Sequence, residues 1–106
     1  MTYYLSPSAE KDIEEIASYY LSKNLSVALN FIDSVYEAME MLAENPMLGH
    51  KKEGLMDKPI RFWPFKWHYL IVYLDQNPIE ISRILSGYRD IPRLLGKVEM
   101  TSFGIN

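Results

Sequence analysis

The chain contains no cysteine. Disulfides, thiolate catalysis and cysteine-ligated zinc are thereby excluded, and a reducing compartment such as the cytoplasm is expected. No apolar run approaches the ~20 residues needed to span a bilayer, so no membrane association is expected. The first residues, MTYYLSPSAEKD, carry neither a basic segment nor an apolar core, and no secretory signal is expected. Glycine-rich phosphate loops, nucleophile elbows, internal repeats and low-complexity tracts are also missing. The two histidines, His50 and His68, stand apart and share no metal-ligand spacing with Asp or Glu. No metal and no cofactor are expected.

What is present is a chain of 106 residues, 48% hydrophobic and 24% charged, which fits one globular domain. That domain is expected over residues 1–96. Residues 97–106 show no periodicity and form a tail, for which disorder and a non-native origin are the two readings. The net charge of −3 is unevenly spread: residues 1–57 carry −6 and residues 58–106 carry +3. So acidic a whole attracts a nucleic-acid backbone weakly, and no specific DNA binding by this chain is expected. A local basic face on the C-terminal half remains, beside the plainer reading of a solvated acidic half next to a sheet that needs some arginine.

Residues 2–5 read as a short strand. Ser6 and Pro7 open a helix as cap and first residue, and Ala9, Ile13, Ile16, Ala17, Tyr20 and Leu21 give it one apolar stripe. Asn24 suits a left-handed helix end, and Ser26 suits the cap of a second helix. That helix has a stripe of Val27, Ala28, Phe31, Ile32, Val35, Met39 and Leu42 and stops at Pro46. Two amphipathic helices about three residues apart make an antiparallel hairpin. Residues 46–58 form a loop. Three strands follow, near 59–65, 68–75 and 79–86, the middle one almost continuously apolar. Pro64 marks the first of the three as an edge or bulged strand. Residues 90–95, with Asp90 as cap and Pro92 near the start, read as a helical turn that Gly96 stops. The fold class is α+β: a β-α-α-β-β-β order with a short C-terminal helix, its helical hairpin packed on a small antiparallel sheet.

The chemistry-bearing residues gather on the sheet half. Arg61, Lys66, Arg83, Arg89 and Arg93 are the cations, and Trp63, Trp67 and Tyr88 the large aromatics beside them. Arginine with exposed aromatics is the composition of a protein-binding hot spot, and aromatics can also stack single-stranded bases. The competing reading is that Trp63 and Trp67 complete the core. Arg83 shares strand parity with Ile79, Ile81 and Leu85, so it needs a partner acid, which Asp90 or a bound protein could supply. His68 is of the residue type that most often serves acid–base work. A lone histidine at a strand start is nonetheless more often structural, and His50 reads as solvated.

Four segments, LSPSAEKDIEEI, ALNFIDSVYEAMEMLAENPMLG, RFWPFKWHYLIVY and ISRILSGYRDIPRLL, resemble in order and spacing the RelE/ParE superfamily of toxins. They span roughly residues 3–95, and the likeness is to the ParE, or plasmid-stabilisation, branch of these type II toxin–antitoxin systems. The resemblance implies the same fold. It also implies a cytoplasmic bacterial toxin that inhibits DNA gyrase by binding it and is neutralised by a ParD-like antitoxin in a hetero-oligomeric complex. Arg61, Trp63, Trp67, Arg83, Tyr88, Arg89, Asp90 and Arg93 are the expected contacts to target or antitoxin.

The alternative is a RelE-like, metal-independent endonuclease that cuts mRNA on the ribosome. Such an enzyme needs a base, an acid and cations around the scissile phosphate. Along the RelE pattern Arg89 keeps a cation and Arg61 stands for one strand lysine. Trp63, Leu70 and Leu95 fall where the second lysine, an arginine and a tyrosine would be. Arg61, His68 and Arg89 are the groups left for that chemistry, so a binding protein is favoured over an enzyme. A third reading is an inactive relic that keeps the fold without a target.

Overall fold

The computed structural model describes residues 2–51, 59–66 and 68–87. Within them the order is β1 (Tyr3–Leu5), α1 (Pro7–Leu21), α2 (Leu25–Glu44), β2 (His50–Lys51), β3 (Ile60–Phe65), β4 (Tyr69–Leu74) and β5 (Ile79–Ser86). The expected C-terminal helix at 90–95 and the tail 97–106 lie outside the described residues.

Both helix starts are set by side-chain caps. Ser6 Oγ accepts the Ala9 N–H at 3.0 Å, with Pro7 at the first helical position. The same hydroxyl donates to the Ser82 carbonyl at 2.8 Å, which pins the helix start to β5. Asn24, expected to end α1 in a left-handed conformation, is extended (φ −164°) and caps α2, its Oδ1 accepting from Val27 N at 3.3 Å. The expected cap, Ser26, lies inside the helix. Ser22, Lys23 and Asn24 close α1 by donating their own N–H groups to the Ser18 and Tyr20 carbonyls. No left-handed residue is then required, and asparagine caps as well as serine.

The five strands form one sheet in the order β1-β5-β4-β3-β2. β2, β3, β4 and β5 pair antiparallel in sequence, but β1 lies parallel to β5, Tyr3 opposite Ile79 and Leu5 opposite Ile81. The sheet is therefore mixed rather than wholly antiparallel. Tight hairpin turns fix the direction of β3 to β5. β1 meets a strand far along the chain, where no turn dictates direction. β2 falls inside the segment read as loop. At two residues it is too short to show a period, and it pairs only with Arg61 and Phe62. Pro64, next along β3, pairs with Leu70 on the β4 side, the edge position a residue without an N–H tolerates.

The helical hairpin covers one sheet face through Ala9, Ile13, Ile16, Phe31, Val35, Met39 and Leu42, which meet Phe65, Tyr69, Ile71, Tyr73, Ile79, Ile81 and Ile84. Phe31 is 2% exposed and stands among Tyr20, Phe65 and Tyr69, ring centroids 5.9, 6.0 and 5.5 Å away. Leu21 and Val27, expected in the stripes, are exposed; both flank the 22–24 connection, so the covered stripe stops short of it. The opposite face of the sheet also buries side chains: Phe62, Leu70, Val72 and Leu85. No helix among the described residues is long and apolar enough to cross a membrane.

Candidate partner-binding surface

Arg61 and Arg83, expected together on a cationic surface, are each engaged in a separate ion pair. Arg61 lies opposite Tyr73 in the β3–β4 ladder. Its Nε donates to Asp75 Oδ2 at 2.7 Å, and its Nη1 donates to the Gly49 carbonyl at 2.9 Å and more weakly to that of Met47 at 3.4 Å. The side chain is only 11% exposed. Beside it the buried Tyr73 hydroxyl donates to the Pro46 carbonyl at 2.6 Å and accepts the Gly49 N–H at 2.9 Å. Arg61, Tyr73 and Asp75 thus hold the turn between α2 and β2 by its backbone. Gly49 is required there, because a Cβ would lie 2.6 Å from the Tyr73 hydroxyl oxygen.

Burial holds the Tyr73 pKa above the usual 10.0; the Asp75 charge adds to this, and the Gly49 hydrogen bond and the Arg61 charge oppose it. Tyr3 is raised too, by burial first and then by Glu40 and Tyr36. A raised tyrosine pKa means the unfolded chain loses its proton first. The stability tied to these protons is present below pH 10 and is lost as pH rises through the raised values. Urea midpoints are therefore expected to fall between pH 9 and pH 11. The decline should be shallower in Tyr73→Phe, which starts less stable by about 1–3 kcal/mol because Gly49 N–H and Pro46 C=O lose their partner. An equal slope in the two proteins would remove Tyr73 from this account.

Arg83 finds its partner in α1. Its Nε and Nη2 donate to the two carboxylate oxygens of Asp12, at 2.7 and 3.0 Å. Asp12 Oδ2 also accepts the Ile84 N–H at 2.9 Å. Asp12 is thus an acid partner that strand parity did not indicate, while Asp90 lies outside the described residues; Asp12 also takes the backbone donor that β1, ending at Leu5, does not reach. A bulge also revises the expected parity. Val72 pairs with Arg83 while Tyr73 pairs with Ile81, so Ser82 is the extra residue. Ile79, Ile81 and Ile84 share the core face, and Arg83 and Leu85 belong to the other.

Trp63 is half-buried and packs against the core, on the same β3 face as Arg61 and Phe65. His68 stacks on Tyr69, ring centroids 4.4 Å apart, and its carbonyl accepts the Gly87 N–H. The two residues line an open cavity of about 420 Å³ with Ile16, Tyr19 and Tyr20, where the Tyr20 and Tyr69 hydroxyls are 2.7 Å apart. His68 and Arg61 do not converge. Five residues of strand separate His68 from Tyr73, the residue opposite Arg61, which is roughly 16 Å at ~3.3 Å per residue. Leu70, at the position where the endonuclease pattern has an arginine, is buried on the far sheet face. Trp67, Tyr88, Arg89, Asp90 and Arg93 lie outside the described residues, as does Leu95. Among the described residues no three His, Cys, Asp or Glu side chains group to hold a metal ion.

Sequence reasoning missed Asp12, Tyr73 and Asp75. Asp12 had a signal: it sits three residues after Ala9 and four before Ile16, an acid set into an apolar stripe. Asp75 lies two residues along from the one opposite Arg61, a diagonal pair legible only once the register is known.

No curated protein matches the chain in sequence. Among solved structures, a chain of the chromosomal ParDE toxin–antitoxin system from P. aeruginosa matches it with a TM-score of 0.67 at 18% identity. The match covers 81% of this chain and 95% of that one, and at this identity it shows the fold. The family model described as the ParE toxin of the type II toxin–antitoxin system parDE matches residues 3–91. With that match over most of its length, the chain belongs to the ParE toxin family, within the RelE/ParE superfamily.

Proposed function

We propose that this type II toxin acts in the cytoplasm by binding DNA gyrase, and that a cognate ParD-like antitoxin neutralises it in a hetero-oligomeric complex. The family match over residues 3–91 carries the reading. It gains support from Trp63 and Leu70, which occupy positions where an endonuclease of the RelE type would place catalytic cations. The toxin works as one domain over residues 1–96. Trp63, Trp67, Tyr88, Arg89, Asp90 and Arg93 are its contacts. Arg83, 44% exposed beside Asp12, stands at their margin, and Arg61 serves from behind by holding the α2–β2 turn. The chain itself makes no specific contact with DNA.

An antitoxin C-terminal segment, apolar with a few acidic residues, docks over the helices and the sheet edge, partly as an added strand and partly as a helix in a groove. A groove on the hairpin, lined by Ala17, Leu21, Leu25, Ala28, Leu29 and Ile32, suits the apolar side chains of such a segment. Lys51 at the β2 edge suits its acids. Because such tails fold on binding, the interface is large and the complex easier to purify than the free toxin.

Expression in bacteria is expected to arrest growth with filamentation, and co-expression of a short neighbouring gene encoding a ribbon-helix-helix antitoxin is expected to restore it. Primer extension on ribosome-bound message separates the alternative. No codon-specific cleavage is expected; cuts that vanish with Arg89→Ala would replace the gyrase reading by the endonuclease.

A further inference from the structure

The outer face of the helical hairpin is built as two rows. On α1, Glu10, Glu14, Ala17 and Leu21 share one helix face, and on α2, Leu25, Leu29, Ile32 and Tyr36 share another. The helices run antiparallel from the 22–24 connection, so the rows lie side by side. They bound an open groove of about 530 Å³, lined from Glu14 to Leu21 on one wall and from Leu25 to Ile32 on the other. Leu21, Leu25, Leu29 and Tyr36 are between 40% and 59% exposed. Exposed apolar residues scattered singly are ordinary, but four on two adjoining rows form a patch that marks an interaction site.

The charge around this groove has one sign. Asp33, Glu37 and Glu40 flank the α2 row, all exposed, and α2 carries no lysine or arginine. Glu10 and Glu14 continue the α1 row, exposed as well, against Lys11 as the single cation of that helix. Among the described residues, none of these five acids forms an ion pair. The groove is thus apolar near the connection and acidic toward Glu10 and Tyr36. Both of its walls are helix sides, which offer no unpaired backbone to an added strand, so a helix is the element that fits.

We infer that the antitoxin stretch lying on the hairpin is a cationic amphipathic helix. Its apolar face fills the groove, and its lysines or arginines meet Glu10, Glu14, Asp33 and Glu37. Matching the row from Leu25 to Tyr36 takes about three turns, roughly 17 Å at 1.5 Å per residue. The inference rests on the toxin reading above and adds the form and the charge of the partner segment over this face. The few acids of that segment then belong at the Lys51 edge, at the far end of the sheet order from β1.

Two synthetic helical peptides of about 16 residues serve as probes. They share a leucine face and are flanked by lysines in one and by glutamates in the other. Each is titrated against the folded, full-length toxin by fluorescence anisotropy. The lysine peptide is expected to bind about 10-fold or more tighter at low salt, and the gap to close as salt rises. Glu14→Lys/Asp33→Lys, a change confined to exposed side chains, is expected to keep the thermal midpoint and reverse the preference. Its affinity for the antitoxin of the neighbouring gene is expected to fall about 10-fold or more. Equal affinity for the two peptides, or a preference that charge reversal leaves in place, overturns the inference. So does unchanged antitoxin affinity in the folded variant. Self-association of wild type that Leu25→Ser/Leu29→Ser abolishes would overturn it in favour of a second copy of the chain. Failure of wild type to arrest growth would strike the toxin reading instead, and the peptide titrations would still decide the charge that the groove selects.

Discussion

Phe31→Ala is expected to lower the free energy of unfolding by about 3–5 kcal/mol, the cost of removing a fully buried aromatic ring. Phe31 touches rings of α1, β3 and β4 together, through Tyr20, Phe65 and Tyr69. Its removal opens a cavity between the hairpin and the sheet. The surrounding rings relax into that space only partly, since Tyr20 and Tyr69 are bonded to each other through their hydroxyls. Small domains are stable by only about 5–15 kcal/mol, so the variant should sit near the edge of folding. Urea denaturation and thermal melts check it. A melting point lowered by less than a degree would mean the stripe assigned to α2 is wrong.

Asp12→Ala is expected to cost about 2–3 kcal/mol, even though it removes a polar side chain from the rim of the core. The loss has two sources. Ile84 N–H is left without an acceptor at a strand edge that β1 does not reach, and Arg83 loses a two-point partner. The first weighs more, because Arg83 is 44% exposed and water can solvate its guanidinium. Arg83→Ala alone should therefore cost less than Asp12→Ala. A double-mutant cycle on the pair resolves the two contributions. Equal costs for the two single variants would mean that the ion pair, and not the strand-edge bond, is what Asp12 supplies.

The helical hairpin and the three long strands were legible because each has a clear period or a nearly continuous apolar run. The helix caps were readable in kind and misplaced in one case, since Asn24 and Ser26 are both good caps and only the hydrogen bonds from residues 22–24 choose between them. β2 was invisible at two residues, and the direction of β1 depends on a partner far along the chain. The bulge at Ser82 turned the parity of Arg83, which strict alternation cannot anticipate. Residue type alone did not show how the two strand arginines are engaged. Arg61 and Arg83 look like binding cations in sequence, but their acids, Asp75 and Asp12, come into range only when β3 meets β4 and α1 meets β5. Nothing in the loop sequence says that Met47 and Leu48 stand on a turn whose backbone Tyr73 and Arg61 hold, with both side chains exposed.

The central claim, a gyrase-binding toxin of the ParE family, is tested most directly by DNA supercoiling with purified gyrase and folded toxin at stoichiometric excess. Wild type is expected to inhibit supercoiling, antitoxin added in equal amount to restore it, and Arg89→Ala to inhibit less. Full supercoiling in the presence of excess folded wild type would contradict the claim and remove gyrase as the target.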